Sequence, residues 1–163
     1  MGDPRRFDLF GRLIAEIFPS HQYKRVADIA GGKGYLQTNL RDHGYDVTTY
    51  DERPGRRDRP GRFQYRYQLF GSHVKENYDL LVGMHPDEAT DVIINEAAKR
   101  KVPFIVCPCC VKPTVLQSVF RDSHNYTNWI IQLKALAERN GYEIREKKLR
   151  MMGKSLVLYG WPR

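Results

Sequence analysis

The sequence lacks long hydrophobic runs, and its N-terminus lacks the apolar segment of a secretory signal peptide. A helix that crosses a membrane needs about 20 consecutive, mostly apolar residues, so no membrane span or membrane partner is expected. Acidic residues are in the minority, with 19 Asp and Glu against 27 Lys and Arg and a net charge of +8 at pH 7. We therefore expect a cytoplasmic protein whose basic surface attracts polyanions, with nucleic acid as the leading partner.

Cysteine is also scarce, and the three thiols lie within four positions, at Cys107, Cys109 and Cys110. Zinc sites usually draw on two separated pairs of cysteine or histidine, a spacing that this sequence does not have. Alternation along a strand would send Cys107 and Cys109 to one face and Cys110 to the other. We therefore predict no metal site and, in a reducing compartment, no disulfide. Buried apolar packing is the simplest role for these side chains.

The glycine loop after the first predicted strand lacks the third glycine of a dinucleotide-binding fingerprint. That fingerprint reads G-x-G-x-x-G, whereas counting on from Gly32 and Gly34 puts Gln37 at the third position. Glycines in such a loop let the backbone approach a ligand without hindrance from a Cβ atom. The loop therefore indicates a nucleotide-like ligand other than NAD, held between an apolar strand over residues 25–30 and a helix that includes Leu36.

An acidic residue, a small residue and two glycines are present instead, at Asp28, Ala30, Gly32 and Gly34. Their order resembles motif I of class I S-adenosylmethionine-dependent methyltransferases, written (D/E)-x-G-x-G-x-G, with alanine in place of the first glycine. The resemblance implies S-adenosylmethionine as the cofactor and S-adenosylhomocysteine as the product. It also implies that these four residues and Gly31 bind the cofactor.

A second pair of carboxylates follows at the spacing that such a site requires. The segment over residues 45–52 reads as a β-branched strand ending in Asp51 and Glu52. A right-handed β-α-β crossover places this strand beside the first one and parallel to it, so an acid at its end lies beside the ribose of a bound nucleotide. We predict that Asp51 binds both ribose hydroxyls and that Glu52 adjoins it.

The alternation of strand-like and helix-like segments predicts an α/β fold in a single domain over residues 1–163. Residues 1–20 are predicted to form an amphipathic helix that covers one face of a Rossmann-like core over residues 25–163. The predicted fold class is a doubly wound, mostly parallel sheet with helices on both faces and a C-terminal antiparallel hairpin. The predicted strands cover residues 25–30, 45–52, 63–70, 78–86, 103–106, 142–149 and 155–161, and the later helices cover residues 87–100 and 127–140.

Ligands of open α/β sheets lie outside the carboxyl ends of the strands, which directs attention to the segment after the fourth strand. There we expect Gly83 and Met84 to contact the cofactor, while Gln68 at the end of the third strand borders the adenine. His85 is the only side chain of that segment that titrates near neutral pH. It is our candidate base, with Asp87 as its orienting partner. The alternative is a structural His85 that caps the following helix or lines the methionine pocket.

A histidine and an Ala-Thr-Asp sequence after the fourth strand, together with a Cys-Cys pair after the fifth, resemble one branch of these enzymes. It includes the Trm13-like tRNA 2′-O-methyltransferases, and the resemblance extends from Arg25 to about Cys110. It implies RNA modification as the function. The amino-methylation signature (N/D/S)-P-P-(Y/F/W) is absent after the fourth strand, where the sequence has His-Pro-Asp, and this favours an oxygen acceptor over a base nitrogen.

Three other interpretations stay open. RNA 5-methylcytosine methyltransferases place an attacking cysteine after the fifth strand, a position that Cys109 or Cys110 could occupy; they also carry Pro-Cys after the fourth strand, which this chain lacks. A noncatalytic Rossmann-like subunit that binds RNA or a protein is the second, and a small-molecule methyltransferase is the third. A partner protein or a homodimer is compatible with each of them.

The basic residues cluster in two stretches, one directly after the second strand and one near the C-terminal hairpin. Clustered cations are the footprint of phosphate binding, although charge alone does not name a partner. We predict nucleic-acid contacts from Arg53, Arg56, Arg57, Arg59, Arg62, Lys147, Lys148 and Arg150.

Overall fold

A computed structural model describes residues 2–53, 64–120 and 125–163. Within these residues, no helix is both long enough and apolar enough to cross a lipid bilayer. The helices are α1 (Arg6–Ile17), α2 (Tyr35–Asp42), α3 (Thr90–Arg100) and α4 (Tyr126–Arg139). The strands are β1 (Arg25–Ile29), β2 (Asp46–Tyr50), β3 (Tyr65–Arg66), β4 (Leu80–Met84), β5 (Phe104–Cys107), β6 (Tyr142–Lys148) and β7 (Leu156–Pro162).

The seven strands form one sheet in the order β3-β2-β1-β4-β5-β7-β6. Strands β1 to β5 pair in parallel, whereas β7 runs antiparallel to both β5 and β6. The predicted fold class, a doubly wound sheet with a C-terminal antiparallel hairpin, is therefore confirmed. The chain moves outward from β1 to β3 and then returns to add β4 on the other side of β1. This change of direction opens a crevice at the carboxyl ends of β1 and β4, where ligands of such sheets bind.

The sheet is covered on both faces, as the continuous burial of its central strands requires. Leu80 and Val82 pack with the apolar residues of α1 and α2, while Leu81 between them packs with those of α3 and α4. The second layer is built around Trp129 of α4, which is fully buried. The helix predicted within residues 1–20 is present, and Phe10 and its neighbours form its buried face.

The third strand is shorter than predicted. Its pairing with β2 covers only Tyr65 and Arg66, and the backbone then turns through a hydrogen bond from the Gln68 amide to the Arg66 carbonyl. Leu69 is consequently 60% exposed, whereas Phe70 packs against Tyr50. The alternating aromatic pattern predicted one long strand. The buried aromatic side chains instead anchor the backbone on either side of a bend. Residue 63, where the predicted strand began, lies outside the described residues.

Candidate functional site

Two adjoining cavities lie at the carboxyl ends of the parallel strands, and both are lined by Ala30 and Arg53. The larger has a volume of about 470 Å³ and the smaller about 310 Å³. Volumes of this order suit a ligand of nucleotide size. The larger cavity includes Ile29, Tyr50, Asp51, Glu52, Gln68, Leu69, Phe70, Pro86 and Asp87 in its lining, and the smaller includes Arg6, Phe7, Gly31, Gly32, Lys33, Tyr35, Met84 and His85.

The loop between β1 and α2 carries three residues in left-handed backbone conformations. Ala30, Gly32 and Gly34 have φ angles of 55°, 58° and 76°. Glycine adopts such angles readily, whereas a residue with a Cβ atom is strained by them. Gly34 directly precedes α2 as its N-cap. Ala30, at the position where motif I has a glycine, therefore holds a left-handed conformation that its Cβ atom strains.

Asp28 shapes this loop from below and lines neither cavity. Asp28 is 1% exposed, and its carboxylate accepts a hydrogen bond from the Thr49 hydroxyl at 3.0 Å. A Cβ atom at Gly31 would lie 2.2 Å from Asp28 Oδ2 and 2.6 Å from Thr49 Cγ2. Gly31 therefore has to be glycine because the loop packs directly on the acid, and Asp28 supports the site without facing it.

Asp51, which directly follows β2, closes the loop from the opposite side. Its Oδ2 accepts a hydrogen bond from the Gly32 amide at 2.8 Å, and the Tyr65 hydroxyl of β3 donates to the Gly32 carbonyl. Burial raises the pKa of Asp51, but hydrogen bonds from the Arg53 side chain and from the Arg53 and Gly32 amides outweigh it and lower the pKa below its usual value. An ionised carboxylate thus lines the larger cavity and holds the Gly32 amide, whose residue lines the smaller one.

Arg53, which was predicted to contact nucleic acid, lines both cavities. Its Nε donates to Asp51 Oδ1 at 2.9 Å, and a second guanidinium nitrogen lies 3.5 Å from Asp87 Oδ2. The side chain of Asp51 is 2% exposed and that of Arg53 is 44% exposed. Arg53 therefore occupies the oxygen atoms predicted to bind the ribose, and it has to move before they can.

The other residues predicted to contact the cofactor lie in different parts of the site. Glu52 and Gln68 line the larger cavity, and Met84 lines the smaller one. Gly83 lines neither cavity. It packs against α3 instead, since a Cβ atom at Gly83 would lie 2.5 Å from the Ile93 side chain. Its glycine serves the packing of α3 against β4.

His85 lines the smaller cavity and has a φ angle of 50°. Its Nε2 lies 2.8 Å from the carbonyl oxygen of Lys154, in the loop between β6 and β7. A carbonyl only accepts, so Nε2 carries the proton and Nδ1 of the neutral ring keeps its lone pair. Burial lowers the pKa of His85, outweighing the Lys154 hydrogen bond and the nearby Asp87 charge, which raise it. Lys154, and not the predicted Asp87, therefore orients this ring.

Asp87 has other contacts, to the two cysteines after β5. Its Oδ1 lies 3.3 Å from Cys109 Sγ and 3.4 Å from Cys110 Sγ, and the two sulfurs are 3.4 Å apart. The prediction that Cys109 and Cys110 point to opposite faces is wrong, because β5 ends at Cys107 and alternation ends with it. The Cys107 thiol is directed elsewhere, towards the Lys154 carbonyl at 3.5 Å.

The thiols after β5 are poorly suited to nucleophilic attack. Burial raises the pKa of Cys109 and of Cys110, and the Asp87 carboxylate beside them acts in the same direction on Cys110. The thiolate is the reactive form of cysteine, so a raised pKa makes a thiol less reactive at neutral pH. This argues against the 5-methylcytosine interpretation.

Sequence reasoning missed the role of Asp91, which lies within the Ala-Thr-Asp motif on α3. Its buried Oδ2 accepts hydrogen bonds from the amides of Thr114, Val115 and Leu116 at 2.8–2.9 Å. Burial raises the pKa of Asp91, while these amides lower it. The motif therefore fixes the loop that follows the cysteines. The signal available in the sequence was an acidic residue near the start of the helix predicted over residues 87–100.

The start of α1 also belongs to the site, although the sequence indicated only a covering helix. Arg6 and Phe7 line the smaller cavity, where the Phe7 ring lies 5.4 Å from that of Tyr35. Asp3 accepts a hydrogen bond from the Met152 amide at 3.1 Å and so joins this segment to the β6–β7 loop. No motif in the sequence marks these long-range contacts.

The predicted basic surface is only partly described. Arg56, Arg57, Arg59 and Arg62 lie outside the described residues. In the C-terminal hairpin, Lys147 lies 3.5 Å from Glu16 of α1, so part of its charge is compensated. Lys148 and Arg150 are exposed at the edge of the sheet.

Comparison with known proteins gives structural matches only. No protein-family profile matches the sequence, and no curated protein matches it. A ribosomal protein L11 methylase from Lactobacillus delbrueckii subsp. bulgaricus aligns with a TM-score of 0.67 and 15% identity over 100% of this chain and 81% of its own. The methyltransferase domain of bacterial CtHen1-CN aligns with a TM-score of 0.64 and 16% identity over 97% of this chain and 100% of its own.

A third similar structure is the sugar N-methyltransferase KedS8 from Streptoalloteichus sp. ATCC 53650. It aligns with a TM-score of 0.65 and 11% identity over 98% of this chain and 87% of its own. The names of these proteins include a ribosomal protein and a sugar as substrates, so the shared feature is the class I methyltransferase fold. At these identities the likeness shows the fold alone.

Proposed function

We propose that this chain, which has the class I methyltransferase fold, is an S-adenosylmethionine-dependent methyltransferase that acts on RNA at an oxygen atom. The observation that carries the proposal is the position of Asp51. It is a buried, ionised carboxylate at the end of β2, hydrogen-bonded to the Gly32 amide and part of the lining of the larger cavity. The two hydroxyls of a ribose bound there would replace the Arg53 guanidinium on the Asp51 carboxylate.

The residues of both cavities fit this cofactor. The larger cavity would take the adenosine, with Asp51 and Glu52 at the ribose and Leu69 near the base. The smaller would take the methionine portion, between the Gly32 backbone and Met84. When bound, S-adenosylmethionine supplies a methyl group on a sulfonium, and transfer is an in-line displacement in which the protein mainly orients the reactants.

The other wall of the smaller cavity holds the side chain that supports an oxygen acceptor. His85 is neutral at pH 7 because burial lowers its pKa, and its Nδ1 can accept a proton from a hydroxyl group. Methylation of an oxygen needs a base to remove the hydroxyl proton, so the presence of a neutral histidine in this wall supports an oxygen acceptor. The net charge of +8 and the resemblance to the Trm13-like branch support RNA as the carrier of that oxygen.

Calorimetry tests cofactor binding. We expect wild-type protein to bind S-adenosylmethionine with one site per chain, and Asp51→Ala to bind at least about tenfold more weakly, because hydrogen bonds to a charged partner contribute about 1.5–3 kcal/mol each. Asp42→Ala, which removes an exposed carboxylate of α2, is the matched control and should bind as wild type. Equal affinity in all three proteins would overturn the assignment.

A label-transfer experiment tests the acceptor. Protein is incubated with methyl-labelled S-adenosylmethionine and a pool of total RNA, protein and metabolites, and the labelled fraction is identified. We expect label in RNA, on oxygen. Label in metabolites alone would identify a small-molecule enzyme and contradict the RNA assignment.

A noncatalytic subunit is the second candidate, and one observation favours it: Arg53 occupies the Asp51 carboxylate. An ion pair that never opens would exclude the ribose. Cofactor binding in the calorimetric experiment contradicts this candidate, whereas RNA binding without cofactor binding supports it.

A further inference from the structure

The loops after β4 and β5 bring together three side chains whose ligand atoms all lie within 4.8 Å of one another: Asp87, Cys109 and Cys110. Among the described residues, this is the one group of three or more histidine, cysteine or acidic side chains that converges so closely. Two sulfurs and one carboxylate oxygen form a donor set that suits thiophilic metals such as zinc.

The distances within the group are close to those of one face of a tetrahedral zinc site. With Zn–S bonds of about 2.3 Å and Zn–O bonds of about 2.0 Å, tetrahedral angles place two sulfurs about 3.8 Å apart and a sulfur and an oxygen about 3.5 Å apart. The observed distances are 3.4 Å between the sulfurs and 3.3 and 3.4 Å from each sulfur to Asp87 Oδ1. Shifts of a few tenths of an ångström would complete the geometry.

The backbone explains why adjacent cysteines converge. Pro108 cannot donate to a strand ladder, and β5 ends immediately before it. The Pro108 carbonyl accepts a hydrogen bond from the Tyr126 hydroxyl of α4 at 3.0 Å, which holds the turn. Cys109 and Cys110 therefore lie on a fixed bend, both turned towards Asp87.

The surroundings can support the charge of a metal complex. Two thiolates and a carboxylate carry three negative charges, one more than a divalent ion neutralises. Lys112 Nζ lies 4.0 Å from Asp87 Oδ1, and a guanidinium nitrogen of Arg53 lies 3.5 Å from Oδ2. These cations offset the excess charge, and Arg53 orients the carboxylate in the manner of an outer-shell partner.

We propose that Asp87, Cys109 and Cys110 form a binding site for a thiophilic divalent metal, zinc in the cell, with the fourth position open to water or to a substrate oxygen. Three protein ligands and one open position are the pattern of zinc sites that take part in chemistry. Asp87 also lines the larger cavity, so the metal would adjoin the proposed cofactor. The metal-site proposal goes beyond the proposed methyl transfer and stands whether or not the chain binds S-adenosylmethionine.

Cobalt titration tests the proposal. Reduced wild-type protein under argon should bind one Co²⁺ per chain, with intense thiolate-to-cobalt charge-transfer absorption in the near ultraviolet, and Zn²⁺ should displace it. Cys110→Ser removes one of two thiolate ligands and should lower this absorption by about half per bound ion. Asp87→Asn removes a direct ligand, so it should lower the affinity for Co²⁺ by more than the roughly 10–100-fold lost with a residue that only hydrogen-bonds a ligand. Cys107→Ala, which removes the thiol directed away from the group, should bind as wild type.

A measurement on the unaltered chain keeps the test valid if a variant does not fold. Zn²⁺ should protect Cys109 and Cys110 from alkylation, located by mass spectrometry, at the concentration that displaces cobalt. Absence of charge-transfer absorption in the reduced wild-type protein, equal loss of binding in Cys107→Ala, or unprotected thiols would each overturn the proposal. A Cys109–Cys110 disulfide in air together with no cobalt binding after reduction would overturn it in favour of a redox pair. Calorimetry with S-adenosylmethionine on metal-free protein reports the proposed function separately.

Discussion

The two walls of the candidate site are built in different ways. The wall formed by the glycine loop and Asp51 comes from one β-α-β unit, and its key contact joins Asp51 to Gly32, 19 residues earlier in the chain. The opposite wall depends on contacts between distant segments, such as that of His85 with Lys154, 69 residues apart. The first wall resembles motif I and carries the proposed cofactor assignment, whereas the second holds the side chains that could perform chemistry. Substitutions in each wall test whether cofactor binding and chemistry are divided in this way.

The largest effect is expected on the chemical wall. Once an acceptor is identified, His85→Gln should lower kcat by about 10²–10⁴-fold, because glutamine cannot act as a base. Cofactor affinity should change little. The sign of the pH dependence follows from the direction of the shift: burial lowers the pKa of His85, the neutral ring is the active form, and activity should therefore fall with acidification only below about pH 6.5. His43→Gln, at an exposed position at the end of α2, is the control.

If His85→Gln retained full kcat, or if His43→Gln lost as much activity, the base would have to be sought elsewhere. A rate that falls with acidification already above pH 7 would also disagree with the lowered pKa of His85.

The next largest effect is expected at the base of the cofactor wall. Gly31→Ala should destabilise the fold by about 1–3 kcal/mol in denaturant unfolding, since its Cβ atom would lie 2.2 Å from Asp28 Oδ2. Gly71→Ala is the matched control, because its Cβ atom would meet only the exposed His73 ring, at 3.2 Å. Equal stability of the two variants would mean that the loop does not pack on Asp28.

A smaller effect of opposite sign is expected one residue earlier. Ala30→Gly should stabilise the chain by up to about 1 kcal/mol, because relief of a φ angle of 55° outweighs the greater backbone entropy of glycine when unfolded. Ala135→Gly, in the interior of α4, should instead destabilise by about 1 kcal/mol. Destabilisation by both substitutions would show that Ala30 is unstrained.

The smallest effect is expected at the residue that joins the two walls. Arg53→Ala should raise affinity for S-adenosylhomocysteine by up to about fivefold, because a half-exposed ion pair that competes with the ribose contributes at most about 1 kcal/mol. Arg12→Ala, which removes the exposed Arg12–Asp8 pair of α1, should leave affinity unchanged. Weaker binding in Arg53→Ala would mean that the guanidinium helps to hold the cofactor.

The sequence was sufficient for the parts that depend on local pattern. Strands β1 and β2, the loop with Gly32 and Gly34, and the spacing to Asp51 follow from periodicity and chain connectivity. The sequence was not sufficient where a side chain contacts a partner that is distant along the chain. Nothing near His85 shows that the Lys154 carbonyl orients it, and nothing near Cys109 shows that β5 has already ended. The prediction of no metal site rested on the missing pair of separated ligand motifs and on strand alternation, and Pro108 interrupts the alternation.

The most direct test of the account is a crystal structure of the chain with S-adenosylhomocysteine. The account predicts both ribose hydroxyls within hydrogen-bond distance of Asp51, the adenine in the larger cavity, and Arg53 displaced from the carboxylate. An intact Arg53–Asp51 ion pair with the ligand bound elsewhere, or with no ligand bound, would contradict it.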